Sequence, residues 1–292
     1  MMPGMTDVFA GHRELLFSIV YNMLGSVSDT EDVLQETWLS WSSRNAEEIA
    51  NPRAYLVRVA VNQALAHQTA LRRRKEAYVG PWLPEPLVTA GDGADDVERA
   101  ESVSLALLVV LETLTPLERA VFVLHEVFAY QHNEIAGMIG RSPSAVRQLA
   151  HRAREHVQAR RPRQRIAAWV QQEATERFLA AAFGGDMEAL LDILAPEVTL
   201  WADGGGKAVA AGPRPIHGRE KVARLLVART ARPLDGLDIQ YREVNGDPSA
   251  VVFVAGAPYA VMVVDLTPDG TQVSGIYSVT NPDKLARVQQ ES

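Results

Sequence analysis

A multidomain fold is predicted: two all-α blocks, the first a helical bundle and the second containing a helix-turn-helix, then an α+β domain with a curved antiparallel sheet. Three observations predict it. Apolar residues recur at helical spacing over residues 1–78 and again over 102–162. The stretch between them, 79–101, holds Gly80, Pro81, Pro84, Pro86, Gly91 and Gly93, and cannot be regular helix or central strand. Over residues 163–292, helical segments come first and short alternating runs follow, separated by turn residues such as NGDP and TPDG.

The 292 residues leave room for two or three domains, and 47% apolar with 22% charged residues is ordinary for globular protein. There is no run of about 20 apolar residues to span a bilayer and no cationic-then-apolar leader, so a cytoplasmic protein without membrane contact is expected. The absence of cysteine excludes disulfides, thiolate nucleophiles and Cys-based zinc sites. A net charge of −7 argues against a nucleic-acid partner only if its distribution is ignored. Residues 1–165 carry 18 basic and 20 acidic side chains, and residues 166–292 carry 11 and 16. The positive charge of the first part is clustered at 72–75 and 141–165, local basic faces suited to touching DNA at chosen places.

In the first block Phe9, Leu15, Leu16, Ile19, Val20 and Met23 give a helix broken at Gly25-Ser26. Ser28 or Asp29 can cap the next helix, in which Leu34, Trp38 and Trp41 form one apolar edge. Its remaining surface is acidic, with Asp29, Glu31, Asp32 and Glu36 and with Gln35 among them. Paired carboxylates can signal acid/base chemistry or a metal, but no His, glycine loop or third ligand stands nearby. A solvated or partner-binding face is the expectation. Asn51-Pro52 opens a further helix that buries Leu56, Val59, Ala60 and Ala64. Arg58, Asn62 and Gln63 stay polar, and Arg72, Arg73, Arg74 and Lys75 follow. Amides can read the edge of a splayed base and cations hold phosphates, although a solvated helix end with dipole-complementing cations has the same residues.

The linker carries Trp82, Leu83 and Leu87, too apolar for an idle tether, so its extended form is expected to dock; the acidic stretch 92–101 reads as solvated. In the second block, Leu105, Leu108, Val109 and Leu111 open one helix, and Thr115, Pro116 and Glu118 make an approximate capping box for the next. Phe122, Leu124 and Val127 are its core, with His125 at the boundary. Residues 130–155 then form two short helices around Gly140, restarted by Ser142-Pro143. Val146, Leu149 and Ala150 face inward; Ser144 stands in the first turn, and Arg147, Gln148, His151, Arg152 and Arg154 face outward. Such a helix suits phosphates and base edges in a major groove; an ordinary αα-corner with a basic face is the alternative. Residues 159–165, ARRPRQR, form a basic tether.

In this order the pieces resemble the bacterial extracytoplasmic-function sigma factors. DTEDVLQETWLSW (29–41) looks like the region 2 helix that docks on the clamp helices of the RNA polymerase β′ subunit. NPRAYLVRVAVNQALAHQTALRRRK (51–75) looks like the element that melts and reads the −10 sequence, where an Asn at the place of Asn62 lies beside the flipped base. LTPLERAVFVLHEVFAYQHNEIAGMIGRSPSAVRQLAHRAR (114–154) resembles region 4, the −35 reader. The resemblance implies core RNA polymerase (β′ clamp helices and β flap) and promoter DNA as partners. It implies polymerase contacts at Asp29, Asp32, Gln35 and Glu36 and −10 contacts at Arg58, Asn62, Gln63, Arg72, Arg73 and Arg74. The −35 contacts fall to Ser144, Arg147, Gln148, His151, Arg152 and Arg154. One departure stands in the recognition helix, where many relatives have Arg and this chain has Leu149; base contacts of that Arg are not transferred.

Residues 163–292 extend past the usual end of that family. AAWVQQEATERFLAAAFGGDMEALLDILA reads as two helices joined at Gly184-Gly185, EVTLWADGGG as a strand, IHGREKVARLLVAR as a third helix, and IQYREV, SAVVFVAG, YAVMVVDL and QVSGIYSV as strands. The segment looks like the SnoaL-like branch of the NTF2-like cones. WLPEPL (82–87), DGGGK (203–207) and NPDKL (281–285) in that order make the whole chain similar to the SigJ-like group, which carries a fused SnoaL-like domain. This implies that the third domain replaces a separate anti-sigma protein through a contact with the linker, at Trp82, Leu83 and Pro84 on one side and Asp203, Gly204, Lys207, Asn281 and Asp283 on the other. Asp203, Arg214, His217, Trp201, Tyr259 and Tyr277 are the candidates for a site inside the cone. DGGGK lacks the Walker spacing and the Ser/Thr after Lys, and His217 has no evident carboxylate partner. No catalytic residue, metal or cofactor is therefore expected. A palindrome-binding repressor and an isomerase or hydrolase tethered to a DNA-binding arm are the rival classes.

Overall fold

The computed structural model describes residues 5–44, 49–89, 103–159, 166–208, 212–230 and 234–290. The acidic stretch 92–101 and the basic residues 160–165 lie outside the described residues. The chain divides into two compact units. One unites the two helical blocks; the other joins the C-terminal domain to residues 78–89 of the linker.

The first unit opens with α1 (Met5–Ala10), α2 (Arg13–Leu24), α3 (Val27–Ser42) and α4 (Pro52–Glu76). Gly25 ends α2 in the left-handed region at φ +70°. The cap of α3 is Ser26, whose hydroxyl accepts from the Asp29 N–H at 3.3 Å, two residues before the earliest cap expected from the sequence. That shift follows from Gly25: the chain reverses there, and the first hydroxyl after the reversal takes the orphan N–H. Asn51 caps α4 through its side-chain oxygen, with Pro52 in the first turn. Leu16, Ile19, Tyr21, Trp41, Leu56 and Val57 fill the centre of this bundle, and the Trp41 indole donates to the Met5 carbonyl at 3.0 Å.

The second block comprises α5 (Leu105–Leu111), α6 (Pro116–Phe122), a π-helical turn (Val123–Val127), α7 (His132–Ile139) and α8 (Pro143–Gln158). Thr115 and Glu118 complete the capping box of α6. The π-turn was not legible from spacing; Ala129 at φ +56° follows it, and the Tyr130 carbonyl contacts His125 Nδ1 at 2.9 Å. Beneath the surface Glu112 binds Lys75 and, at 2.6 Å, Arg119, whose Nε–H donates to the Asn22 carbonyl at 2.9 Å. Burial would raise the Glu112 pKa, but the two cations outweigh it and hold the carboxyl below its ordinary value.

The second unit contains α9 (Ala168–Gly184), α10 (Met187–Ile193), β1 (Leu194–Asp203), β2 (Ile216–His217), α11 (Arg219–Thr230), β3 (Leu237–Val244), β4 (Asp247–Val254), β5 (Ala257–Leu266), β6 (Val273–Val279) and α12 (Pro282–Leu285). The strands form one sheet in the order β2-β1-β6-β5-β4-β3. Its hairpins are antiparallel as expected, but β1 runs parallel to β6, with Trp201 opposite Tyr277, so the sheet is mixed. Turn residues mark pairings between sequence neighbours only; β1 and β6 are separated by α11 and four strands, and no local signal reports their direction. One face packs on α9, α10 and α11 through Phe178, Leu190, Val198, Leu200, Val252 and Ile276. The arrangement is an NTF2-like cone with an apolar interior.

Candidate nucleic-acid interface

On α3, Asp32 and Gln35 are exposed, and Glu36 is half-buried with its carboxylate 3.2 Å from His67 Nε2. Asp29 departs from this surface. It is buried and paired with Arg74, because the first turn of α3 lies against α4 rather than in solvent. Glu31 holds Arg13 through both oxygens at 2.7 and 2.8 Å. Leu39, 58% exposed, stands off the buried stripe of its helix. An apolar residue out of register with Leu34 and Trp41 was the available signal for it.

The polar face of α4 presents Arg58 and Asn62, both exposed, and half-buried Gln63. The Asn62 amide donates to the Arg58 carbonyl at 2.7 Å and to the Met138 carbonyl of α7 at 2.8 Å. At the far end Arg72 lies 3.4 Å from Glu76, Arg74 binds Asp29, Lys75 is drawn inward by Glu112, and Arg73 is exposed.

In the helix-turn-helix, Gly140 takes φ +63° and Ser142 accepts from the Ala145 N–H at 3.2 Å, the two devices that set α8 across α7. Val146, Leu149, Ala150 and Ala153 are buried, so Leu149 serves the core. Ser144, Arg147, Gln148 and His151 share the exposed face, with His151 3.5 Å from Glu155. Two of the expected readers have partners inside the domain. Arg152 donates to Glu118 at 3.0 Å, and Arg154 donates to Glu126 at 3.1 and 2.5 Å.

In the second unit the linker meets the sheet around Asp203, which is fully buried. Its Oδ1 accepts from the Tyr78 hydroxyl at 2.5 Å and the Gly205 N–H at 3.2 Å. Its Oδ2 accepts from the Leu83 N–H at 2.9 Å and from Lys284 Nζ at 2.7 Å. Lys284 also donates to the Leu83 carbonyl and sits 3.6 Å above the Trp82 ring, a desolvated cation–π contact. Asn281 donates to the Tyr78 hydroxyl at 2.7 Å, and Lys207 binds Asp283 at 2.6 Å on the surface. Burial first, then the hydrogen bond and charge of Asp203, push the Tyr78 phenol well above its ordinary pKa and keep it a donor. Pro84 is buried beside Leu83, and Gly204 opens the turn that carries Gly205. A Cβ on Gly205 would lie 2.5 Å from the Asn281 amide nitrogen, and one on Gly206 would lie 3.1 Å from Val79, so the glycines permit the approach. Sequence reasoning missed Tyr78 and Lys284; both flank or lie within the short signatures but carry no pattern of their own.

The candidates for a site inside the cone do not converge. Asp203 is neutralised by Lys284, Trp201 stacks on Tyr277 at 4.9 Å, and His217 Nδ1 lies 3.0 Å from the Thr199 hydroxyl. Thr199, Trp201 and Asp203 alternate with Val198 and Leu200, so these side chains stand on the sheet face away from the helical core.

A helical bundle with a basic amide-bearing helix, coupled to a helix-turn-helix and followed by an NTF2-like cone, defines a promoter-reading transcription factor. The family models agree: Sigma-70 region 2 matches residues 8–75, and Sigma-70 region 4 matches residues 104–157. The chain is 38% identical to the ECF RNA polymerase sigma factor SigJ of Mycobacterium tuberculosis, over 95% of this chain and 92% of that protein. It is 29% identical to a probable ECF RNA polymerase sigma factor, SigI, of the same species, over 96% of this chain and 94% of that one. The crystal structure of M. tuberculosis SigJ superposes with a TM-score of 0.76 at 34% identity, covering 95% of this chain and 97% of that chain. The chain belongs to the extracytoplasmic-function RNA polymerase sigma factors, in the SigJ-like group with a fused C-terminal domain. It is a factor of promoter-specific transcription initiation, whose macromolecular partners are RNA polymerase and promoter DNA. No helix among the described residues is long and apolar enough to cross a membrane.

Proposed function

We propose that the C-terminal domain takes the place of a separate anti-sigma protein by holding the linker between the two promoter-reading blocks of this cytoplasmic factor. The observation that carries the reading is the buried Asp203–Lys284 pair closed around Leu83. A buried ion pair adds little stability over an apolar replacement, and its best-attested use is to fix one arrangement against others. Fixing the twelve residues 78–89 removes up to about 40 Å of reach from a chain that extends about 3.4 Å per residue.

In this reading α3 docks on the β′ clamp helices through Asp32, Gln35 and Glu36, while Asp29 holds Arg74 in place. The −10 strand meets Arg58, Asn62 and Gln63, with Arg72, Arg73 and Arg74 on its phosphates. The −35 duplex meets Ser144, Arg147, Gln148 and His151, while Arg152 and Arg154 set the angle of α8. The role of the domain in this reading is control: Asp203 is already held by four donors.

Run-off transcription with purified core polymerase tests both levels. Promoter-specific initiation is expected from the full chain or from a truncation within residues 166–292, and its absence from all of them overturns the residue assignments. Asp203→Ala is expected to change initiation at least fivefold at equal folded concentration. Unchanged initiation overturns control through the linker.

A further inference from the structure

The polar face of α4 has a second occupant. Met138 lies in the last turn of α7, where the final carbonyls of a helix have no partner within it. The Asn62 amide supplies one, donating to the Met138 carbonyl at 2.8 Å while its other N–H is held by the Arg58 carbonyl at 2.7 Å. Beside this contact α4 and the α7 segment enclose a cleft of about 480 Å³, lined on one side by Ala54, Tyr55 and Arg58 and on the other by Tyr130, Gly137 and Met138. The Arg53 guanidinium reaches across to the Tyr130 ring, 5.6 Å from its centroid. A carboxamide that reads a base edge through a donor–acceptor pair must donate from nitrogen and accept at oxygen together. With both N–H groups engaged, Asn62 cannot do so.

We infer that the face of α4 that reads the −10 strand is also the dock of α7, so that the two partners exclude each other. The −35 half of the factor thereby closes the −10 half when the two blocks are together, independently of the C-terminal domain. The inference rests on the assignment of Asn62 to the −10 strand. Undocking α7 frees one amide N–H and opens the cleft in the same movement.

The chain has no native cysteine, so Ala54→Cys with Gly137→Cys places the only two thiols on opposite walls of the cleft. A Cβ at Gly137 meets nothing within 4 Å, so the substitution is sterically free. The double variant is linked in the free state with a short, disulfide-containing bismaleimide and mixed with core polymerase. Permanganate reactivity of the −10 thymines at a promoter mapped for this factor is then read. Melting is expected to fall at least tenfold in the linked protein and to return on cleavage with dithiothreitol, with both single-cysteine variants unaffected by the reagent. Failure of the link to form, or melting within twofold of the unlinked protein, overturns the inference. Asn62→Ala is run in parallel. If it leaves melting intact, the −10 assignment fails and takes the inference with it. If it abolishes melting while the link does not, the inference alone fails.

Discussion

Asp203 holds its charge out of water against four donors: Tyr78, Leu83, Gly205 and Lys284. Removing one partner of a buried pair leaves the other uncompensated, at a cost of about 3–5 kcal/mol. Lys284→Ala is therefore expected to lower the stability of the second unit by roughly that amount, and calorimetry of the full chain measures it. Gly205 is sensitive for a different reason. At φ +59° and with Asn281 2.5 Å from an added Cβ, Gly205→Ala should destabilise by about 1–3 kcal/mol, whereas Gly137→Ala in open helix should gain up to about 1. Glu112 makes stability depend on pH. Its folded pKa lies below the ordinary 4.5, so its contribution is full above that value and disappears as pH falls through the lower folded one. The difference in unfolding free energy between wild type and Glu112→Gln should shrink across that acid range, as followed by denaturant titration at stepped pH. At this scale Asp203 was readable, as a carboxylate before a glycine triplet. Lys284 was not, since a lysine followed by leucine looks like any solvated helix end until the fold buries it.

At the scale of elements, α8 illustrates how far periodicity reaches. The inward set Val146, Leu149 and Ala150 follows from spacing, and with it the exposure of Arg147 and Gln148. Spacing cannot tell that Arg152 and Arg154 find Glu118 and Glu126, because those acids come from α6 and the π-turn. The two groups should separate by mutation. Arg147→Ala is expected to weaken binding of a −35 duplex by about 1–3 kcal/mol without altering thermal stability. Arg154→Ala should lower the melting temperature of the helix-turn-helix, and a Glu126→Arg/Arg154→Glu exchange should restore much of it. Fluorescence anisotropy and circular dichroism read the two effects. The strands were equally legible as elements and not as a sheet: alternation located β3 to β6, while the parallel β1–β6 pairing and the two-residue β2 depend on partners distant in sequence. The cap at Ser26 was displaced for a local reason, the reversal at Gly25.

At the scale of the whole molecule, composition separated two helical blocks from an α+β domain, and the proline-rich stretch between the two helical blocks belongs to the same unit as that domain. The apolar Trp82 and Leu83 made the linker a docking segment rather than a tether. The partner atoms, a backbone amide and carbonyl of Leu83, carry no residue identity and could not be read from sequence. Hydrogen exchange checks the consequence: the Leu83 amide should be protected in the intact chain and lose that protection by tenfold or more in Lys284→Ala. Further along, the same segment does something else. Thr89 donates to the Glu243 carbonyl of β3, Leu87 accepts from the N–H of Asn245 just past its end, Val88 is bridged to Val244, and β3 is the outermost strand of the sheet. An unpaired outer strand is a template on which another chain can add. Part of that rim is sealed by the linker itself, so any event that frees the linker also unmasks a sticky border. A form with the linker released, such as Lys284→Ala, should therefore show concentration-dependent oligomers in sedimentation velocity that the intact chain does not.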